Sequence, residues 1–154
     1  MLWKVRLLAE QASFDITDPS QSISLVPSPQ LIPKNADTES SALYAITSVC
    51  AGGRKIPILK IMQSNNCKLN CKYCGTRRDA DIQKATIQPE ELARIYDSMY
   101  QARLVEGLFL TSAVYRDADY SMELMIRTVE LLRRQYSYRG YIHLKMMPSV
   151  SGVS

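Results

Sequence analysis

The sequence predicts an α/β protein built from parallel βαβ units. Two observations carry this. Three short, mostly apolar runs, Ile56–Met62, Leu108–Ala113 and Tyr141–Met147, alternate with two longer stretches of helical period. Pro89, Gly107 and Gly140 stand near the junctions, where chain direction must change. Strands alternating with helices imply a parallel sheet with right-handed crossovers. Three strands are too few to close a barrel.

The elements follow in order. Residues 2–14 are expected to form a short amphipathic helix with Leu2, Val5, Leu8 and Ala12 on one stripe. Residues 16–41 are rich in Ser and Pro, including Asp18-Pro19-Ser20 and Pro27-Ser28-Pro29, and read as a loop or linker because proline removes donors and interrupts helices. The chain therefore divides into 1–45, helix and linker, and 46–154, the α/β part. Order resumes near Ala42, and Gly52-Gly53 offers a tight turn. Ile56–Met62 is a buried strand with Pro57 required at its start. Thr86–Arg103 is a helix with Pro89 in its first turn, Glu90 and Glu91 at the positive end of its dipole, and Leu92, Ile95, Tyr96 and Met99 on one face. Gly107 is expected to stop it. Asp119–Gln135 is the next helix, capped by Asp119 or Ser121, with Met122, Met125, Ile126, Val129 and Leu132 as its stripe and Glu123–Arg127 and Glu130–Arg134 as spaced ion pairs.

Composition excludes several classes. The chain has 154 residues, 46% hydrophobic and 22% charged, which suits a folded domain rather than a disordered one. No apolar run is long enough to cross a bilayer. Lys4, Arg6 and Glu10 interrupt the N-terminal segment, so it does not read as a signal peptide. A cytoplasmic location with no membrane partner is the expectation. The net charge of +4 is compatible with a nucleic-acid partner without requiring one.

The chemistry is concentrated in Asn65-Asn66-Cys67-Lys68-Leu69-Asn70-Cys71-Lys72-Tyr73-Cys74-Gly75. Three of the four cysteines fall within eight residues, directly after the first predicted strand. In βα folds active sites lie in the loops at the carboxyl ends of strands. Three thiolates on one short loop can bind three irons of a cubane and leave the fourth to a ligand from solution. Zinc is the competing reading, but it usually takes four ligands, and only Cys50 or His143 remains to complete the set. Cys50 reads as a buried thiol.

The spacing Cys67-x3-Cys71-x2-Cys74, with Tyr73 before the last cysteine, resembles the signature of the radical S-adenosylmethionine (SAM) enzymes. The resemblance implies a [4Fe–4S] cluster on Cys67, Cys71 and Cys74, SAM on the open iron, and reductive cleavage of SAM to a 5′-deoxyadenosyl radical. It also implies a one-electron donor such as a flavodoxin or ferredoxin. Longer blocks are similar to one branch, the DNA modification/repair radical SAM proteins found beside a uracil-DNA-glycosylase-like protein. These blocks are Leu7–Asp15, Leu59-Lys60-Ile61, Arg77-Arg78, Pro89–Leu92, Glu106–Leu110 and Arg139–Lys145. The resemblance implies a partial (β/α) TIM-like barrel, of which this chain would supply the first three βα units. Members of that branch are longer and carry a C-terminal helix-hairpin-helix region with no counterpart in these residues.

Four further groups are candidates. Thr111 and Ser112 stand where relatives place a motif that touches the SAM amino group, and their hydroxyls can accept from it. Arg77 suits a carboxylate or phosphate, whereas Arg78 reads as an ion-pair partner of Asp79 or Asp81. His143 and Lys145 alternate with Tyr141 on one strand face and are the catalytic candidates. Tyr73 and Arg77, with Thr111 and Ser112, form the expected cofactor-binding set. The alternative to an enzyme is a truncated, non-catalytic iron–sulfur or zinc module.

Overall fold

The computed structural model describes residues 2–12 and 46–147. The Ser/Pro-rich stretch and residues 148–154 lie outside the described residues. The elements are α1 (Leu2–Ala12), β1 (Ile46–Ala51), β2 (Arg54–Met62), α2 (Pro89–Gln101), β3 (Gly107–Thr111), α3 (Ala118–Arg134) and β4 (Tyr141–Leu144). The fold is α/β, with one four-stranded sheet in the order β1-β2-β3-β4. β2, β3 and β4 run parallel, joined through α2 and α3, as the alternating pattern predicts.

β1 is an addition to the expected three strands, and it pairs antiparallel with β2. Its cause is local. Gly52 and Gly53 both hold left-handed backbone, with φ of 57° and 79°, which is the two-residue hairpin turn that glycine permits. Pro57 stands fourth in β2 rather than first, but the parallel pairing with β3 starts just after it, at Ile58. Its carbonyl oxygen accepts from the Glu106 N–H at 2.7 Å.

One face of the sheet and all three helices form a single core. Val5, Leu8, Ala9 and Ala12 of α1 meet Leu59 and Ile61 of β2, Leu108 and Leu110 of β3, and Leu92, Tyr96 and Met99 of α2. The opposite face carries a smaller cluster of Ile56, Ile58 and Phe109 with Val49, drawn from strands alone. Across that face Lys60, Phe109 and His143 stand in register.

The helices differ in detail from expectation. α2 begins at Pro89 rather than Thr86 and stops short of the expected Arg103. It ends at Gln101, and Arg103 takes a left-handed turn with φ 58°. Gly107 instead opens β3, where a Cβ would stand 2.8 Å from Ile58 Cγ2. α3 is capped by Asp117, whose side chain accepts from the Tyr120 N–H at 2.7 Å, not by Asp119 or Ser121. Its buried stripe is Ser121, Leu124, Met125, Thr128, Leu131 and Leu132, with Ile126 exposed. The stripe is rotated from the apolar one because two buried hydroxyls find partners: Ser121 on Tyr115 and Asp117, Thr128 on Gln63 and Leu124. Arg134 pairs with Glu130 at 3.8 Å as spaced, while Arg127 reaches Glu90 of α2 at 3.7 Å.

Candidate functional site

β2 leaves the sheet through Gln63, Ser64 and Asn65, all fully buried polar residues. Buried polar groups need partners, and here the partners are the segments that build the site. The Gln63 N–H donates to the Thr111 carbonyl at 2.7 Å, and the Ile87 N–H donates to the Gln63 carbonyl at 2.9 Å. The Ser64 carbonyl accepts from the Ala113 N–H at 2.8 Å, and Ser64 Oγ stands 2.7 Å from Thr86 Oγ1. Asn65 holds the returning strand end on both sides: its Oδ1 accepts from the Ala85 N–H at 2.6 Å, and its Nδ2 donates to the Gln83 carbonyl at 2.8 Å.

The cysteine loop begins two residues later. The Lys68 N–H donates to the Val114 carbonyl at 2.7 Å, tying the loop to the end of β3. The Arg78 N–H donates to the Leu69 carbonyl at 2.7 Å and closes the loop on itself. Inside it, the Cys74 N–H donates to the Cys71 carbonyl at 3.0 Å, and Arg77 Nη1 donates to the Cys74 carbonyl at 3.2 Å. Lys84 holds the far end, its ammonium donating to the carbonyls of Thr76 at 3.1 Å and Arg77 at 2.8 Å.

The loop forms one wall of a cavity of about 590 Å³ at the carboxyl ends of β2, β3 and β4. Cys67, Cys71 and Cys74 line it, all three as free, partly exposed thiols. Tyr73, Arg77, Thr111, Ser112 and Lys145 line it too. The fold thus gathers eight sequence-selected residues from three separate segments. Thr111 and Ser112 are buried, and Ser112 Oγ donates to the Ala113 carbonyl at 2.9 Å. Its proton is engaged there, so its lone pairs are what it offers the cavity. Tyr73 stands at the rim, 94% exposed, touching the cavity edge rather than filling it.

His143 is not brought to the cavity. It lies on the open sheet face, stacked on Phe109 with ring centroids 4.7 Å apart, and its Nδ1 is 3.1 Å from the Tyr141 hydroxyl. Lys145, the other catalytic candidate, follows β4 and does reach the cavity wall. Arg78 pairs with Asp79 at 2.9 Å, and this contact raises its pKa above the ordinary value while lowering that of Asp79. Cys50 is exposed, not buried. It pairs with Lys55, at the far end of β2 from the loop, roughly 23 Å of strand away.

Among the described residues no three Cys, His, Asp or Glu side chains converge as ligands of a single metal. Cys50 and His143, the two residues the sequence offers as a fourth zinc ligand, both lie away from the loop. A cubane instead takes each thiolate on a different iron, so its ligands surround a volume rather than a point. Cys67, Cys71 and Cys74 line one cavity and would be the residues to hold such a group.

Gln11, Asn65, Lys84, Met146 and Met147 escaped the sequence reading. Gln11, Met146 and Met147 line the cavity, and Asn65 and Lys84 build its frame. Asn65 carried a signal, being two residues before the first cysteine. Gln11 carried none, because a polar residue on an amphipathic helix is ordinary.

No family model, curated protein or solved structure matches this chain. Among the described residues no helix is long and apolar enough to cross a membrane.

Proposed function

We propose that the chain is a radical SAM protein, or the cluster-bearing part of one, in which Cys67, Cys71 and Cys74 hold a [4Fe–4S] cluster. The observation that carries this is the gathering of three free thiols, Thr111, Ser112, Arg77 and Lys145 around one cavity at the strand ends. Held by Cys67, Cys71 and Cys74 and reduced, such a cluster would supply the one electron for cleavage of a SAM carbon–sulfur bond to methionine and a 5′-deoxyadenosyl radical.

The chain's own residues do the rest. The loop, tied at Lys68, Arg78 and Lys84, would hold the cluster through its three thiolates. The Ser112 lone pairs accept from an ammonium group, and the Arg77 guanidinium faces a carboxylate or phosphate. Met62, Met146 and Met147 give the cavity an apolar wall. The electron comes from a flavodoxin or ferredoxin. β2, β3 and β4 correspond in this reading to the first three strands of a partial (β/α) barrel, and nucleic acid is the substrate class, in modification or repair. The location is cytoplasmic, and the uracil-DNA-glycosylase-like protein is the partner to test first.

Anaerobic reconstitution tests the reading. About four irons and four sulfides per chain are expected, with a cluster spectrum that changes when SAM is added. Bound zinc without sulfide would overturn it. Release of 5′-deoxyadenosine on reduction separates an enzyme from a binding module that holds the cluster without turnover. Affinity for DNA that falls steeply with salt supports a nucleic-acid substrate.

A further inference from the structure

Gln11 is the one cavity residue supplied by α1, and its orientation is fixed by backbone groups it never touches. The chain of reasoning starts at Asn65. A backbone N–H can only donate and a carbonyl can only accept. The Ala85 N–H therefore requires oxygen at one side of the Asn65 amide, and the Gln83 carbonyl requires nitrogen at the other. The amide cannot flip without losing both bonds in a fully buried position. Its Nδ2 then donates a second bond, at 2.6 Å, to the Gln11 side chain. The atom that receives it must be Oε1. The two protons on Gln11 Nε2 are left over, with no partner among the described residues, and Gln11 lines the cavity.

We infer that Gln11 is a ligand-recognition residue: a hydrogen-bond donor, locked by Asn65, for a carboxylate oxygen of the molecule that occupies the cavity. Charge selects the acceptor. Arg77 and Lys145 line the same cavity and no Asp or Glu does among the described residues. With the three thiolates committed to the cluster, a neutral donor in a cavity that also holds two cationic side chains suits an anionic acceptor over a neutral one. The inference rests on the proposal that SAM, which carries a carboxylate on its methionine part, binds here. It adds that α1, outside the βα units, is part of the binding site.

The test uses the cluster-loaded protein and equilibrium binding, not turnover. Gln11→Met removes the donor and keeps the length. Gln11→Glu keeps an oxygen for Asn65 and replaces the donor with a charged acceptor, so it serves if the first variant folds poorly. Iron content and thermal unfolding are compared with the parent chain in both. SAM affinity should fall about tenfold in Gln11→Met and further in Gln11→Glu, the loss expected for one charge-assisted bond. Affinity for decarboxylated SAM should change less than twofold in Gln11→Met. Parent protein that binds SAM while both variants bind it equally well overturns the role of Gln11 alone. An equal loss for both ligands overturns the carboxylate assignment. Loaded parent protein that binds no SAM overturns the functional proposal, and this inference with it.

Discussion

Thr128 of α3 and Gln63 at the end of β2 are joined by a buried hydrogen bond, with Thr128 Oγ1 2.8 Å from Gln63 Oε1. The same hydroxyl stands 3.0 Å from the Leu124 carbonyl, so one proton serves two acceptors. Gln63 Nε2 donates in turn to the Ile87 carbonyl. A single side chain thus fixes the segment leading into α2 against α3, one turn of chain before the cysteine loop. Thr128→Val keeps the shape but leaves Gln63 Oε1 buried without a donor, which costs about 1–3 kcal/mol. Thr128→Ser restores the hydroxyl and should recover most of the loss apart from that of the methyl group. Urea unfolding of the two variants checks this; equal midpoints would mean the bond contributes nothing.

Lys84 makes a second, more local prediction. Its two charge-assisted bonds are to the carbonyls of Thr76 and Arg77, at the end of the cysteine loop. Lys84→Met keeps the stem and removes both. Such bonds contribute about 1.5–3 kcal/mol each when well shielded and less at a partly exposed site such as this. The loss should appear as faster amide exchange in residues 74–80 and reduced iron loading, with the sheet amides unchanged. Uniform loosening of the whole domain would show that Lys84 supports the fold rather than the loop.

Much of this arrangement was legible in the residues, for identifiable reasons. Leu108–Leu110 and Ile58–Ile61 announce buried strands because a parallel inner strand must be apolar on both faces. The cysteine spacing located the loop, and the strand-end rule located the cavity. What stayed hidden depended on partners distant in sequence. The stripe of α3 was misread because Thr128 and Ser121 look exposed by polarity and are buried by their hydrogen bonds. β1 was missed because Ile46-Thr-Ser-Val-Cys-Ala is short and weakly apolar, although the Gly52-Gly53 turn pointed to a hairpin. His143 was drawn towards the site by the strand face it shares with Lys145 and by the resemblance of its block, whereas its register opposite Phe109 places it on the open face.

Alkaline pH should weaken the fold through two tyrosines. Burial raises the Tyr96 pKa far above the ordinary value and also raises that of Tyr138. An unfolded tyrosine titrates near pH ~10. Above that point the unfolded chain releases protons that the native state retains, so unfolding becomes easier as pH rises. Below it neither group contributes a slope. Among the described residues the Tyr96 hydroxyl is buried with no hydrogen-bond partner, while the Tyr138 hydroxyl donates to the Glu106 carbonyl at 2.7 Å. Tyr96→Phe should therefore be neutral or stabilising, within about 1 kcal/mol at neutral pH, and should lose less stability above pH ~10 than the parent. Parallel stability–pH curves would remove Tyr96 from this account.

Gly107→Ala tests the close approach of three strands. The added Cβ would stand 2.8 Å from Ile58 Cγ2 and 3.1 Å from Tyr141 Cδ1, on neighbours of β3 on both sides. Both strands are held in register, so the clash cannot relax in one direction. Overpacking of this kind costs about 1–3 kcal/mol. Ile58→Leu removes the β-branch methyl at similar volume and should return part of that cost in the double variant. Strict additivity of the two changes would place the strain elsewhere.

The four cysteines should separate cleanly in their effect on iron. Cys67, Cys71 and Cys74 line one cavity, whereas Cys50 is exposed beside the Gly52-Gly53 turn, the length of β2 away. A thiolate can ligate only where its sulfur reaches the metal, and no rearrangement short of unpairing β1 from β2 carries Cys50 to the loop. Cys50→Ser is therefore expected to retain the parent's iron, sulfide and spectrum. Replacing any one of the other three with Ser should lower iron and sulfide together by more than half, since a cubane held by two thiolates loses its protein anchor on a second iron. Unfolding midpoints of the metal-free variants should remain close to the parent's, because all three thiols are partly exposed and buried cavities are not created. Loss of iron in Cys50→Ser with retention in Cys67→Ser would reverse the assignment of the ligands.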